Sequence, residues 1–195
     1  MPPICIDGAF IVAANDTRVG SVLVNGRQIS AVAWSVEDRA ALRANAAEVF
    51  DATGKWLIPG LIDAHAHGYG TLLRGTENSL PLELWALHTT LYGRAFDAAA
   101  MRAAILLVAA ERIRAGITGA LDHSPMLALA ADALAAHEAS GLRVAYAPFW
   151  HDLSDYDLLD LPLPAELAPL VGGPPPLDAD AYRNIFAATV QAARA

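Results

Sequence analysis

Apolar and polar positions alternate in short runs over the first 56 residues, and that two-residue period predicts β structure. Ile4-Cys5-Ile6 and Phe10-Ile11-Val12 flank the turn pair Asp7-Gly8. Ser21-Val22-Leu23-Val24 and Ile29-Ser30-Ala31-Val32 flank Asn25-Gly26, whose central positions tolerate the positive φ of a tight hairpin. A short helix is expected over 37–45, then an apolar stretch at Glu48-Val49-Phe50 and a turn at Thr53-Gly54-Lys55. The dense run Trp56-Leu57-Ile58 follows, broken by Pro59-Gly60 and resumed at Leu61-Ile62.

Beyond that point helices alternate with buried strands. Met101, Ile105, Val108 and Ile113 recur at helical spacing over 97–114, with Arg102, Glu111, Arg112 and Arg114 interspersed as its polar positions, and Gly116 closes the helix. Residues 117–121 read as a strand ending at Asp122-His123. A second helix over 125–140 closes at Gly141, and a further strand over 142–149 ends at Trp150-His151-Asp152. The Pro-rich stretch 161–176 reads as a long loop, and a last helix starts near Asp178. Alternation of this kind is the grammar of a parallel α/β sheet, open or closed into a barrel.

Composition narrows the class. With 195 residues, 55% apolar and 17% charged, the chain has material for a real core and is not a disordered segment. A net charge of −8 has the wrong sign for a nucleic-acid binder. The longest apolar run, 103–110, lies between Arg102 and Glu111 and falls far short of the roughly 20 residues of a membrane helix. Nothing in the first fifteen residues suggests export. The single cysteine, Cys5, rules out an internal disulfide framework and fits a reducing, cytoplasmic setting; the residue reads as a small buried hydrophobe.

The chemical signal is Asp63-Ala64-His65-Ala66-His67. Residues two apart on a strand share a face, so His65 and His67 can reach one ion from the strand end, and neutral imidazoles suit zinc or iron. By itself a His-x-His pair is as readily two surface histidines. Its position at the end of a buried run, where a parallel strand delivers side chains to an active-site face, favours ligation.

From Gly54 to His67 the chain reads Gly-Lys-x-x-x-Pro-Gly-Leu-Ile-Asp-x-His-x-His, which resembles the first barrel strand of the amidohydrolase superfamily. Gly70-Thr71-Leu72-Leu73-Arg74-Gly75 and Pro81-Leu82-Glu83-Leu84-Trp85 look like its cytosine deaminase and triazine hydrolase branch. Gly116-Ile117-Thr118 to Asp122-His123 is similar to its second strand. The resemblance implies the N-terminal part of a metal-dependent (β/α)8 TIM barrel preceded by a small β-sandwich segment, residues 1–56, with residues 57–195 forming the first three βα units. It also implies one divalent metal ion, zinc before iron, a metal-activated water, and a small cyclic amidine-type substrate: a nucleobase, a nucleoside derivative or a triazine. A homo-oligomer is expected of the full-length protein, with neither nucleic acid nor membrane as partner. The alternatives are an imidazolonepropionase- or dihydroorotase-like cyclic amide hydrolase, or an inactive fragment.

Of the implied ligand set the sequence supplies His65 and His67. The remaining ligands and the proton shuttle are expected beyond Ala195, because a complete barrel needs about 250 residues by itself. Trp85 and Glu83 are candidate pocket residues; the alternatives are core packing for Trp85 and a solvated helix carboxylate for Glu83. His123, at the end of the second strand, is a candidate substrate contact; His151 holds the equivalent place on the third. Asp63 is read as structural and facing away from the ligands, Arg74 as a salt-bridge partner, His88 as packing beside a short helix, and His137 as a surface residue in mid-helix.

Overall fold

The computed structural model describes residues 1–149, 162, 164–171 and 177–192. Trp150, His151, Asp152 and parts of the Pro-rich stretch lie outside the described residues. The chain divides into two compact units, Met1–Pro59 and Gly60–Ala195.

The first unit is a mixed sheet. Strands β1 (Ile4–Ala13), β2 (Asp16–Asn25), β3 (Gln28–Ala33) and β4 (Glu48–Asp51) are ordered β3-β2-β1-β4, and the short β5 (Trp56–Leu57) also pairs with β1. The Asn25-Gly26 hairpin forms as expected, with Asn25 paired to Gln28 and Gly26 at φ 59°. Asp7-Gly8 does not turn the chain. β1 runs straight through it, and the pairing with β2 slips between Ile6 and Ala9 while Gly8 takes φ 76°. A glycine in this conformation absorbs an extra residue as a bulge without ending the strand. The bulge leaves the Asp7 carboxylate to accept from Ser21 and from Arg39 and Arg43 of α1 (Val36–Ala44). Partial burial works against ionisation there, but these donors outweigh it and hold the carboxyl below its ordinary range. Cys5 is fully buried beside this cluster, and burial pushes its thiol up.

The second unit carries a parallel sheet, β6 (Leu61–Ala66), β7 (Ile117–Ser124) and β8 (Arg143–Pro148), in chain order. Between β6 and β7 run a 3-10 turn over Gly68–Leu73, α2 (Leu82–Gly93) and α3 (Ala98–Arg114); α4 (Ala130–Ser140) joins β7 to β8. The short α5 (Ala168–Val171) and the longer α6 (Ala179–Ala192) follow. This is a mixed α/β architecture, and no described helix is long and apolar enough to cross a membrane. The core packs Tyr69, Met101, Ile105, Ala133 and Ala136 together, so α3 and α4 meet over one cluster beneath the turn that follows β6.

Two sequence expectations for α3 are reversed. Arg112, read as one of the polar positions interspersed along the helix, is only 3% exposed, whereas Ile113 lies largely in solvent. The reason is electrostatic: two carboxylates stand under this face of the helix, and a guanidinium answers their charge where an alkyl chain cannot.

Helix α3 starts at a residue chosen for that place. Asp97 is extended, and its side chain accepts from the Ala100 amide at 2.7 Å, satisfying one of the free N–H groups of the first turn. Asp97→Ala is expected to cost about 1 kcal/mol, read as a lowered midpoint in urea unfolding with the slope unchanged.

Candidate active site

His65 and His67 come from the last residues of β6 and the position just after it, and His123 from the end of β7. Their rings form one cluster: centroids are 5.0 Å apart for His65 and His67, 4.7 Å for His65 and His123, and 6.0 Å for His67 and His123. Strict alternation along β6 would put Asp63 on the face of His65. The strand pairing prevents this. Asp63 lies opposite Ala120 and Ala66 opposite Asp122, so three steps on β6 match two on β7. The extra residue breaks the parity, as a β-bulge does. The histidines gather on the His123 face, while Asp63 joins Asp122 on the other, toward α3.

That second face holds a buried charge network. Arg112 donates through Nε to Asp63 Oδ2 at 3.0 Å and through Nη1 to Asp122 Oδ2 at 3.1 Å. Asp122, 1% exposed, also accepts the Gly68 amide on Oδ1 at 2.8 Å. Position 68 must lack a side chain, because a Cβ there would run into the Asp122 carboxylate and the Ile105 side chain. His137 lies beside the network without a hydrogen bond to it. It was expected at the surface, but it is 4% exposed, with Nε2 3.5 Å from Asp122 Oδ2 and its ring 5.7 Å from that of Tyr146. Burial lowers the His137 pKa, opposed by Asp122 and reinforced by Arg112. The ring is therefore neutral at pH 7, and Arg112 supplies the positive charge that Asp122 requires. Burial also pushes the Tyr146 phenol up to about 12.

The spacing of polar residues along α3 and α4 carries a signal of this network. Arg112 continues the Met101, Ile105, Val108 stripe by a further four residues, and His137 continues the buried Ala130, Ala133 stripe of α4.

His67 is oriented by the sheet itself. Its Nδ1 stands 3.1 Å from the His123 carbonyl oxygen. A carbonyl can only accept, so the proton sits on Nδ1 and the Nε2 lone pair is left for a ligand, the arrangement metal-binding imidazoles adopt. Beside it lies a cavity of about 360 Å³ lined by His67, Tyr69, Leu73, Arg74, Trp85 and Thr89 among others. Trp85 is thus a wall of this space, 38% exposed, while Glu83 lies exposed in the first turn of α2 and does not line it. Arg74 pairs bidentately with Glu111 at 2.6 and 2.5 Å, and His88 Nε2 is 3.2 Å from Thr76 Oγ1. Among the described residues, no three His, Cys, Asp or Glu side chains converge closely enough to hold a metal by themselves.

A family model described as the amidohydrolase family matches residues 56–161, more than half of the chain. The chain belongs to the amidohydrolase family. Among curated proteins, this amidohydrolase is 40% identical over 82 residues to a 5'-deoxyadenosine deaminase of Methanothermobacter thermautotrophicus, covering 42% of this chain and 18% of the relative. It is 34% identical over 122 residues to a 5-methylthioadenosine/S-adenosylhomocysteine deaminase of Shouchella clausii, covering 60% and 28%. The chain therefore spans less than a third of the length of these two relatives. Among solved structures, a variant of the atrazine chlorohydrolase of Arthrobacter aurescens, complexed with zinc and atraton, shares the fold. The TM-score is 0.57 at 21% identity, covering 74% of this chain and 35% of that one.

The buried neutral His137 predicts a pH dependence. Its folded pKa lies below the ordinary value of 6.5, so as pH falls past that value the unfolded chain takes up a proton that folded His137 refuses. Stability is unaffected by this residue at higher pH and declines below about 6.5, by at most about 1.4 kcal/mol per pH unit for one proton. Chemical denaturation at pH 7.5 and 5.0 should show a smaller acid loss for His137→Phe than for the unsubstituted chain.

Proposed function

We propose that His65 and His67 are two ligands of one divalent ion, zinc before iron, and that the whole enzyme hydrolyses an exocyclic C–N bond of a small cyclic amidine. An adenine nucleoside is the substrate class with most support. One observation carries the reading: the hydrogen bond from His67 Nδ1 to the His123 carbonyl presents Nε2 as a free donor, with the His65 ring 5.0 Å away. Zinc is favoured because neutral imidazoles are its usual partners and because the chlorohydrolase neighbour was solved with zinc. The substrate class rests on the two deaminases that this chain resembles.

In this reading β6, β7 and β8 with their helices are the first three βα units of a (β/α)8 barrel, and residues 1–56 are a β-sandwich segment before it. The parallel order β6-β7-β8 with helices between successive strands supports that placement. Trp85 and Tyr69 wall the cavity against which a flat heterocycle can pack, and their bulk keeps water from one side of it. His123 stands 4.7 Å from His65, ring to ring, and can hydrogen-bond a ring nitrogen or the leaving amine. Arg74, neutralised by Glu111, shapes the rim without adding net charge. The metal, when bound, supplies a water activated for attack on the amidine carbon. Asp63 and Asp122 are committed to Arg112 on the opposite face, so we assign the proton-carrying group and the remaining ligands to the part of the enzyme that this chain does not span. The buried, unpaired Cys5 fits the reducing cytoplasm in which we place the enzyme.

The complete enzyme, purified and assayed for metal, should hold near-stoichiometric zinc or iron, and His65→Ala should abolish both metal content and turnover. Retention of either in that variant overturns the ligand assignment. Ammonia release from 5'-deoxyadenosine and methylthioadenosine, set beside chloride release from a chlorotriazine, separates deamination from the dehalogenation that the chlorohydrolase neighbour suggests.

A further inference from the structure

The hydrogen bonds around Arg112 reach a residue within two positions of each of the three histidines. Asp63, bound to Nε, lies two residues before His65 on β6; Asp122, bound to Nη1, directly precedes His123 on β7. The second oxygen of Asp122 takes the amide of Gly68, the residue directly after His67. A single guanidinium therefore anchors the backbone on both strands that carry the cluster, and it does so from the face opposite the imidazoles, where it touches no candidate ligand. The anchoring is tight. Arg112 and Asp122 are 3% and 1% exposed, and a Cβ at position 68 would meet both the carboxylate and Ile105.

The consequence for the site runs through the β6 bulge. A bulged strand has one residue outside the ladder and lacks the hydrogen bonds that would fix its register there. Between Asp63 and Ala66 the ladder of β6 to β7 is interrupted, and that interval contains His65. Side-chain bonds on either side, Asp63 to Arg112 before it and Gly68 to Asp122 after it, replace the missing ladder.

Resting on the zinc-site reading above, we infer that Arg112 and Asp122 are positioning residues: together they hold the β6 bulge in the register that brings His65 and His67 onto the face of His123, and so set the affinity for the ion. They do not touch the ion or the substrate.

A positioning role is separable from mere stability, because a buried ion pair can be replaced by apolar groups of similar volume at little cost in folding. The double substitution Arg112→Met with Asp122→Leu removes the buried pair and the acceptor for the Gly68 amide, and leaves Asp63, the carboxylate that reaches solvent, to water. Zinc and cobalt(II) titrations of the complete enzyme and of this variant of it, each shown folded by circular dichroism, read the effect. The unsubstituted complete enzyme is expected to bind zinc. The folded double variant is expected to bind it about 10- to 100-fold more weakly, as metal sites do when the groups orienting their ligands are lost, and to show an altered visible spectrum with cobalt. Equal affinity together with an unchanged cobalt spectrum overturns the positioning role and leaves the ligand assignment intact. Failure of the unsubstituted complete enzyme to bind either metal overturns both. Should the double variant not fold, Asp122→Asn takes its place: it keeps an oxygen for the Gly68 amide but loses the charge that Arg112 grips. Weaker zinc binding by this folded variant supports the inference, and unchanged binding overturns it.

Discussion

A guanidinium sealed between two carboxylates is the constraint around which the second unit is arranged. Asp63 and Asp122 arrive on neighbouring parallel strands and face the same helix, and two like charges there are tolerable only with a cation between them. Arg112 supplies it from the helix that packs over the sheet. An alkyl side chain at that position, with Asp122 retained, would leave that carboxylate unpaired and buried, a situation that costs several kcal/mol. His137, the other basic group within reach, is held neutral by burial and cannot substitute for it. The charge is thus carried by the one side chain whose ionisation burial does not reverse.

The same constraint divides the sheet into a structural face and a chemical one. The slip between Asp63 and Ala66 puts carboxylates under the helix and imidazoles on the far side, so the acidic groups nearest in sequence to the histidines are withheld from them. That separation keeps Asp63 and Asp122 from competing for the imidazole N–H groups. His67 takes its orientation instead from a backbone carbonyl, which fixes the tautomer without adding charge. A bulge also organises the first unit. Gly8 lets β1 continue past Asp7 and turns that carboxylate toward Ser21, Arg39 and Arg43. In both places an irregular strand residue frees a half-buried aspartate to accept from arginine.

Much of the second unit was legible in the chain because local rules govern it. The helix beginning at Asp97 is set by its cap, the strand before Asp122-His123 by a glycine and an apolar run, and the His-x-His pair by its position after Pro59-Gly60-Leu61-Ile62. The misreadings are of another kind. Arg112 and His137 are polar residues on helices and read by default as solvent-facing, yet both are buried: Arg112 pairs with a carboxylate 10 residues away on β7, and the neutral ring of His137 packs beside Tyr146 of β8. Asp7-Gly8 has the composition of a turn, but β2 pairs with β1 on both sides of it and holds the strand straight.

The sequence by itself determined which residue types were available for chemistry, the alternation of strand and helix that presents them, and the family to which the chain belongs. Hydrophobic period, capping and motif spacing are properties of neighbours along the chain. Only the tertiary structure decided which face of β6 each of those residues occupies, because one slipped residue inverts the alternation and no local pattern records it. Only the tertiary structure, too, made Arg112 a core residue, since its burial depends on two carboxylates that meet it after the sheet and helix have packed.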